Sequence, residues 1–293
     1  MPVTAVAAGG QKGCAWLVCA SPAGCARGQK GDGRLPEGSL PVSRIVVLGG
    51  AFAVILVAYV TTQNYMSVVL GADAFRALTV SNFTFAGCTL LAPIAVHKLG
   101  LRLSMCLGAA SVLVWTGGVY AAAALGVRWP LFLGSTVLGA LCPILWTAQG
   151  AYVTAASTQA TRGSYNGLFF ALASMNPIVG NGLAIALVNG AGLPPTFVFG
   201  ADVLIAALGL LAFFAVTDVA SRTEAARQPH EPPCTAALHA ALSLPRIVCS
   251  RDFGPLAPAC VFLGFSKAFV FGTFTQLVGE FWVGVCVRRV RAR

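Results

Sequence analysis

A chain of 293 residues in which 57% are hydrophobic and only 10% charged, with a mean hydropathy of +0.80, lacks the polar residues that a water-facing surface needs. Soluble domains carry about 25% charged residues, so an ordinary globular domain is excluded. The net charge of +10 does not turn the chain toward nucleic acid, because its Lys and Arg lie between and outside the apolar runs and no basic patch is interleaved with aromatics.

Taken in chain order, residues 1–43 are rich in Gly, Ala and Pro and read as a flexible cytosolic tail. The short apolar run Ala15 to Ala20 falls below the ~7 to 15 residues of a secretory signal, so a cleaved targeting peptide is only an alternative reading of it. Seven long apolar runs come next, near Ile45–Val69, Ala77–Val96, Leu103–Leu125, Pro130–Ala151, Tyr165–Val188, Pro195–Val216 and Pro255–Val278. Each matches the roughly 20 residues that cross about 30 Å of hydrocarbon at 1.5 Å per residue. Helices satisfy their own backbone bonds in lipid, so the expected class is an all-α membrane protein, multi-pass, with the bilayer as its first partner. Pro143 and Pro177 fall inside the fourth and fifth runs and predict kinks there.

The charges give a domain plan: tail 1–43, six helices over 44–217, a cytosolic linker over 218–252 holding most of the internal charge, then a seventh helix and basic tail over 253–293. Lys12, Arg27, Lys30, Arg34, Arg44, Lys98, Arg102, Arg162, Arg222, Arg227, Arg246 and Arg251 fall on the side of the N-terminus, and only Arg76 and Arg128 fall between helices on the other. Loops rich in Lys and Arg stay in the cytosol, which predicts a cytosolic N-terminus. Seven spans would then leave Arg288, Arg289, Arg291 and Arg293 outside, against the same rule. That contradiction predicts a chain cut short, or ended in a foreign tail, just after a seventh helix that continues into a second half.

Polar side chains inside lipid are costly unless they face a partner helix or a watery cavity. Gln63, Asn64, Gln149, Asn166 and Asn181 are the candidates for a cavity lining, with Asn82 and Asn176 as further amides in the runs, and Lys98 and Arg102 are placed in a cytosolic gating loop. For each amide the plainer role is a hydrogen bond to a neighbouring helix. Lys267 is the one charge expected inside a span, at a cost of about 2.5–3.5 kcal/mol unless it pairs, snorkels or loses its proton. It lies beside Gly264, Ala268 and Gly272, whose four-residue spacing makes a smooth ridge for close helix packing. Asp202 falls near the end of its run, so no acid within the spans is expected to pair with Lys267.

Cys88, Cys106, Cys142 and Cys260 lie in or beside apolar runs and read as small packed hydrophobes. His230, Cys234, His239 and Cys249 are zinc-type residues in the linker, but no tight Cys-x-x-Cys or His-x-x-x-His pair joins them. They read as solvated loop residues, and no cofactor or metal is expected. Asn82-Phe83-Thr84 matches a glycosylation sequon inside a span, where no transferase reaches it. No phosphate-cradling glycine loop, Ser-His-Asp set, Cys-His set or paired carboxylates occur, so nothing reads as an enzyme.

Two stretches are more specific. The first is Leu90-Leu91-Ala92-Pro93 followed by His97-Lys98-Leu99-Gly100-Leu101-Arg102 and Ser104-Met105-Cys106-Leu107-Gly108. The second runs Leu145-Trp146-Thr147-Ala148-Gln149-Gly150-Ala151-Tyr152-Val153-Thr154, then Gly163, Tyr165-Asn166-Gly167-Leu168-Phe169-Phe170 and Gly180-Asn181. Together they resemble the Unc-ninety-three-like branch of the major facilitator superfamily, over about Ile45 to Leu277, and Gly264 to Thr275 is similar to that family's seventh helix. The resemblance implies a six-helix N-terminal half of major-facilitator type, in which two three-helix repeats are inverted, and a protein normally of twelve helices. Its members include regulators of potassium channels and trafficking partners of receptors. Ser266-Lys267 stands where the family pattern has an acidic and a neutral residue, and the chain stops after about seven spans.

The function expected is therefore transporter-like, for a small solute not identified by the sequence. Two alternatives stand beside it: a non-transporting regulator of a channel or receptor, and an inactive half.

Overall fold

The computed structural model describes residues 40–217, 250, 253–254 and 257–268. Its helices are α1 Val42–Leu70, α2 Ala72–Thr89, α3 Ala92–Leu99, α4 Leu101–Leu125, α5 Trp129–Ala156, α6 Arg162–Ala173, α7 Asn176–Ile185, α8 Thr196–Phe214 and α9 Ala257–Ala268, with a π-helical turn Ala186–Gly190 after α7. No strand occurs among the described residues. The helices α1, α4, α5 and α8 and the joined segment Arg162–Gly190 are each long and apolar enough to cross a membrane, and α2 with α3 makes a sixth span if the bent pair is counted as one.

Proline and glycine punctuate these runs. The second run is not one helix over Ala77–Val96 but α2 and α3 bent by 70° at Leu90–Leu91. Pro93 opens α3, where its missing N–H costs nothing that a first turn would have used. The fifth run breaks at Ser174–Met175, and Pro177 sits at the start of α7 in the same way. Pro143, by contrast, lies inside α5, which continues through it without a break. Gly71 (φ 54°) and Gly100 (φ 79°) are single-residue joints, α1 to α2 and α3 to α4. Their backbone conformations disfavour a Cβ, which is what lets one helix turn straight into the next.

Helix contacts form two matching sets. The helix α4 packs on α5 as α8 packs on α1, and α2 and α3 lean on α5 as α6 and α7 lean on α1, while α4 with α8 and α1 with α4 close the bundle. Phe52 of α1 is fully buried at the centre, with ring centroids 5.5 Å from Trp146 (α5), 5.0 Å from Phe169 (α6) and 5.3 Å from Phe213 (α8). One side chain thereby ties four helices together through edge-to-face and tilted contacts.

Lipid tails are as apolar as Leu, so close packing rather than escape from water holds such helices together. Glycines permit it at the helix crossings. A Cβ on Gly108 would overlap Leu145, one on Gly209 would come 3.0 Å from Ile55, and one on Gly139 would come 2.5 Å from the Ser81 carbonyl oxygen. Cys106 is buried and Cys88 and Cys142 are half-buried in this packing. The linker residues His230, Cys234, His239 and Cys249, the ridge residue Gly272, and the side chains of Lys267 and Ala268 lie outside the described residues. Gly264 is exposed on α9.

Overpacking a helix crossing costs about 1–3 kcal/mol. Thermal unfolding of the detergent-solubilised protein should show Gly139→Ala and Gly108→Ala destabilised by that order. Gly117→Ala, which has nothing within 4 Å of the added methyl, should be neutral or more stable. Equal tolerance of all three would contradict the crossings described.

Candidate functional site

Four successive residues on α1, Thr61-Thr62-Gln63-Asn64, carry the polar groups that the rest of the bundle meets. At 3.6 residues per turn, Thr61 and Asn64 fall on one face and Thr62 on another. The structure follows that geometry. Asn64 Nδ2 donates to Asn181 Oδ1 on α7 at 3.2 Å, and the fully buried Thr61 hydroxyl lies against Gly180 of the same helix. Thr62 points to α8, where its Oγ1 donates to Asp202 Oδ2 at 2.8 Å.

Asp202 corrects an expectation. It is not a helix-end acid at the membrane edge but a fully buried carboxyl two turns into α8. Its Oδ1 and the Thr61 hydroxyl have no hydrogen-bond partner among the described residues. An intramembrane acid is therefore present, although nothing described relates it to Lys267. Its signal in the sequence is a single carboxylate in an otherwise apolar run, with a Thr as the donor 140 residues away.

The five amides proposed to line a cavity do not meet at one point. Gln63, Asn64 and Asn181 sit toward the α1–α2 end, about 17 Å along α1 from the Phe52 ring cluster at 1.5 Å per residue. Gln149 lies one turn beyond Trp146, and Asn166 one turn before Phe169, both on the opposite side of that cluster. Gln149 is buried, Gln63 and Asn166 are half-buried, and none of the three hydrogen-bonds through its side chain among the described residues. Asn176 donates to the Ala173 carbonyl across the α6–α7 break, and Asn82 donates to Leu78 within α2.

Lys98 and Arg102 are not in a loop. Lys98 occupies the last turn of α3 and Arg102 the first turn of α4, with Gly100 as the whole connection. Lys98 is exposed, and Arg102 donates from Nη2 to the Phe214 carbonyl at the end of α8, at 2.7 Å. That carbonyl belongs to the last residue of α8, which has no N–H partner within its own helix. At the other end of the bundle Asp73 pairs with Arg76 at 3.2 Å and with Arg128 at 3.1 Å, joining the start of α2 to the α4–α5 connection. Among the described residues no group of three or more His, Cys, Asp or Glu is placed to hold a metal ion.

Comparison with known proteins adds a family. A family model described as ion channel regulatory protein UNC-93 matches residues 69–280. The chain is similar to an UNC93-like protein MFSD11 of Xenopus laevis, 28% identical over 158 residues that make up 50% of this chain and 34% of the relative. The MFSD11 protein of Xenopus tropicalis gives the same figures. An UNC93-like protein 3 of Arabidopsis thaliana is 26% identical over 276 residues, 87% of this chain and 57% of the relative. The chain thus spans less than two thirds of the length of these relatives.

The Thr62–Asp202 bond makes a double-mutant test. Asp202→Leu strands the buried Thr62 hydroxyl and should cost about 1–3 kcal/mol in thermal unfolding. Adding Thr62→Val should recover part of that loss, since removing both partners spares the stranded donor. Strictly additive losses would argue against the bond.

Proposed function

Because the chain belongs to the UNC-93 family of ion channel regulatory proteins, we propose that it works as a transporter-like membrane protein of the major facilitator superfamily, moving a small solute along a path beside α1, α5 and α6. The observation that carries this reading is the set of amides, Gln63 on α1, Gln149 on α5 and Asn166 on α6, that remain without hydrogen-bond partners among the described residues. Uncommitted polar groups in a bilayer are costly where they serve only structure. The matching helix contacts, α4–α5 with α8–α1 and α2/α3–α5 with α6/α7–α1, support an arrangement of two three-span repeats. In this reading residues 44–217 form one six-helix half, 218–252 the linker, and 253–293 the start of a second half. The end holding Arg44, Lys98, Arg102 and Arg162 faces the cytosol.

A second reading, regulation of an ion channel or receptor, draws on the family description and on α6 and α7. Phe170, Met175, Ile178, Val179 and Ile185 are exposed there, and few of the segment's residues are buried. Such a face suits helix-to-helix association with a partner as well as contact with lipid.

Uptake of a broad metabolite panel into vesicles holding the purified protein separates the two. The transporter reading expects flux above protein-free vesicles, reduced about two- to ten-fold by Gln149→Ala, the effect of one lost hydrogen bond. No flux, together with a stable channel or receptor co-purified from native membranes, would replace it with the regulatory reading.

A further inference from the structure

A groove of about 620 Å³ runs between α4 and α8 at the basic end of the bundle. We propose that it binds an anionic phospholipid, with an acyl chain in the groove and the phosphate at Arg102. The walls are apolar: Leu103, Leu107 and Ala110 follow helical spacing along α4, Leu210 and Phe214 do so along α8, and Leu99 at the end of α3 adds to the lining. Its volume lies in the roughly 300–1,000 Å³ range of small-molecule sites. The cation at the mouth is Arg102. One of its five N–H donors is used on the Phe214 carbonyl, and the exposed side chain keeps others for a phosphate.

Charge decides the class of lipid. Between residues 40 and 217 the only acids are Asp73, held by Arg76 and Arg128 at the other end, and Asp202, buried against Thr62. Arg102 and Lys98, one glycine joint apart, therefore have no acidic partner among the described residues. An apolar trough lined at its mouth by Arg102, with Lys98 one glycine joint away and no described acid paired with either, is complementary to an amphiphile with an anionic head. A free phosphate would leave the trough empty, and a neutral lipid would leave the cations unanswered.

The test uses the purified chain in mixed micelles containing phosphatidylserine or phosphatidylcholine, with bound lipid read by native mass spectrometry and stability by thermal unfolding. Phosphatidylserine should be retained in preference, and Lys98→Gln and Arg102→Gln should each lower that preference about five-fold. Lys98 makes no hydrogen bond or ion pair among the described residues, so its variant separates charge from the Arg102–Phe214 tie. Arg102→Lys should keep the preference. Ala110→Phe, which fills the groove, should remove retention of both lipids. Equal retention of the two lipids, stabilisation by inorganic phosphate alone equal to that by phosphatidylserine, or unchanged retention in Ala110→Phe would each overturn the proposal.

Discussion

A polar group in hydrocarbon has no water to turn to, and the arrangement of this bundle comes from that constraint acting on α1. Thr61, Thr62 and Asn64 are set by helical periodicity onto two faces, and α7 and α8 bring what those faces meet: Gly180, Asn181 and Asp202. Three turns away Phe52 joins α5, α6 and α8 through aromatic contacts. One helix thus fixes its neighbours at two levels, by hydrogen bonds near one end and by ring packing near the middle. Glycines at the crossings let the backbones come close enough for both.

The spans are legible in the sequence because hydropathy is a property of long runs, and errors of a few residues do not change it. The breaks inside them are less so. Pro177 marks the α6–α7 break, but Pro93 gives the same signal for α2–α3 inside a run whose hydropathy is continuous. Pro143 shows why the residue alone is ambiguous: α5 accommodates it without interruption. Pro93 and Pro177 each occupy the first turn of a new helix, whereas Pro143 is interior to one that continues.

The polar residues stand out in the sequence, but their pairing does not. Asn64 and Asn181 are 117 residues apart and Thr62 and Asp202 are 140 apart, so no local pattern connects them. The burial of Asp202 is hidden in the sequence because distance from a run's end is not distance from the core, and a helix covered by its neighbours breaks that equivalence. Lys98 and Arg102 look like loop residues because Gly100 suggests a turn, whereas a glycine of positive φ makes the entire joint by itself. The chain then has chemically distinct ends, one with Asp73 balancing two arginines and one with cations that no described acid balances. That asymmetry bears on orientation, on lipid contact and on any solute path alike.

The account depends on these helices threading a bilayer, and labelling from each side tests that most directly. Single cysteines at Lys98→Cys, Arg128→Cys and Val114→Cys, introduced into a cysteine-free background, would be exposed to a membrane-impermeant maleimide in sealed vesicles. Val114 is exposed on the surface of α4 between its ends. The account predicts that positions 98 and 128 react only from opposite sides and that position 114 is shielded from both. Reaction of 98 and 128 from the same side, or ready labelling of 114 from water, would contradict it.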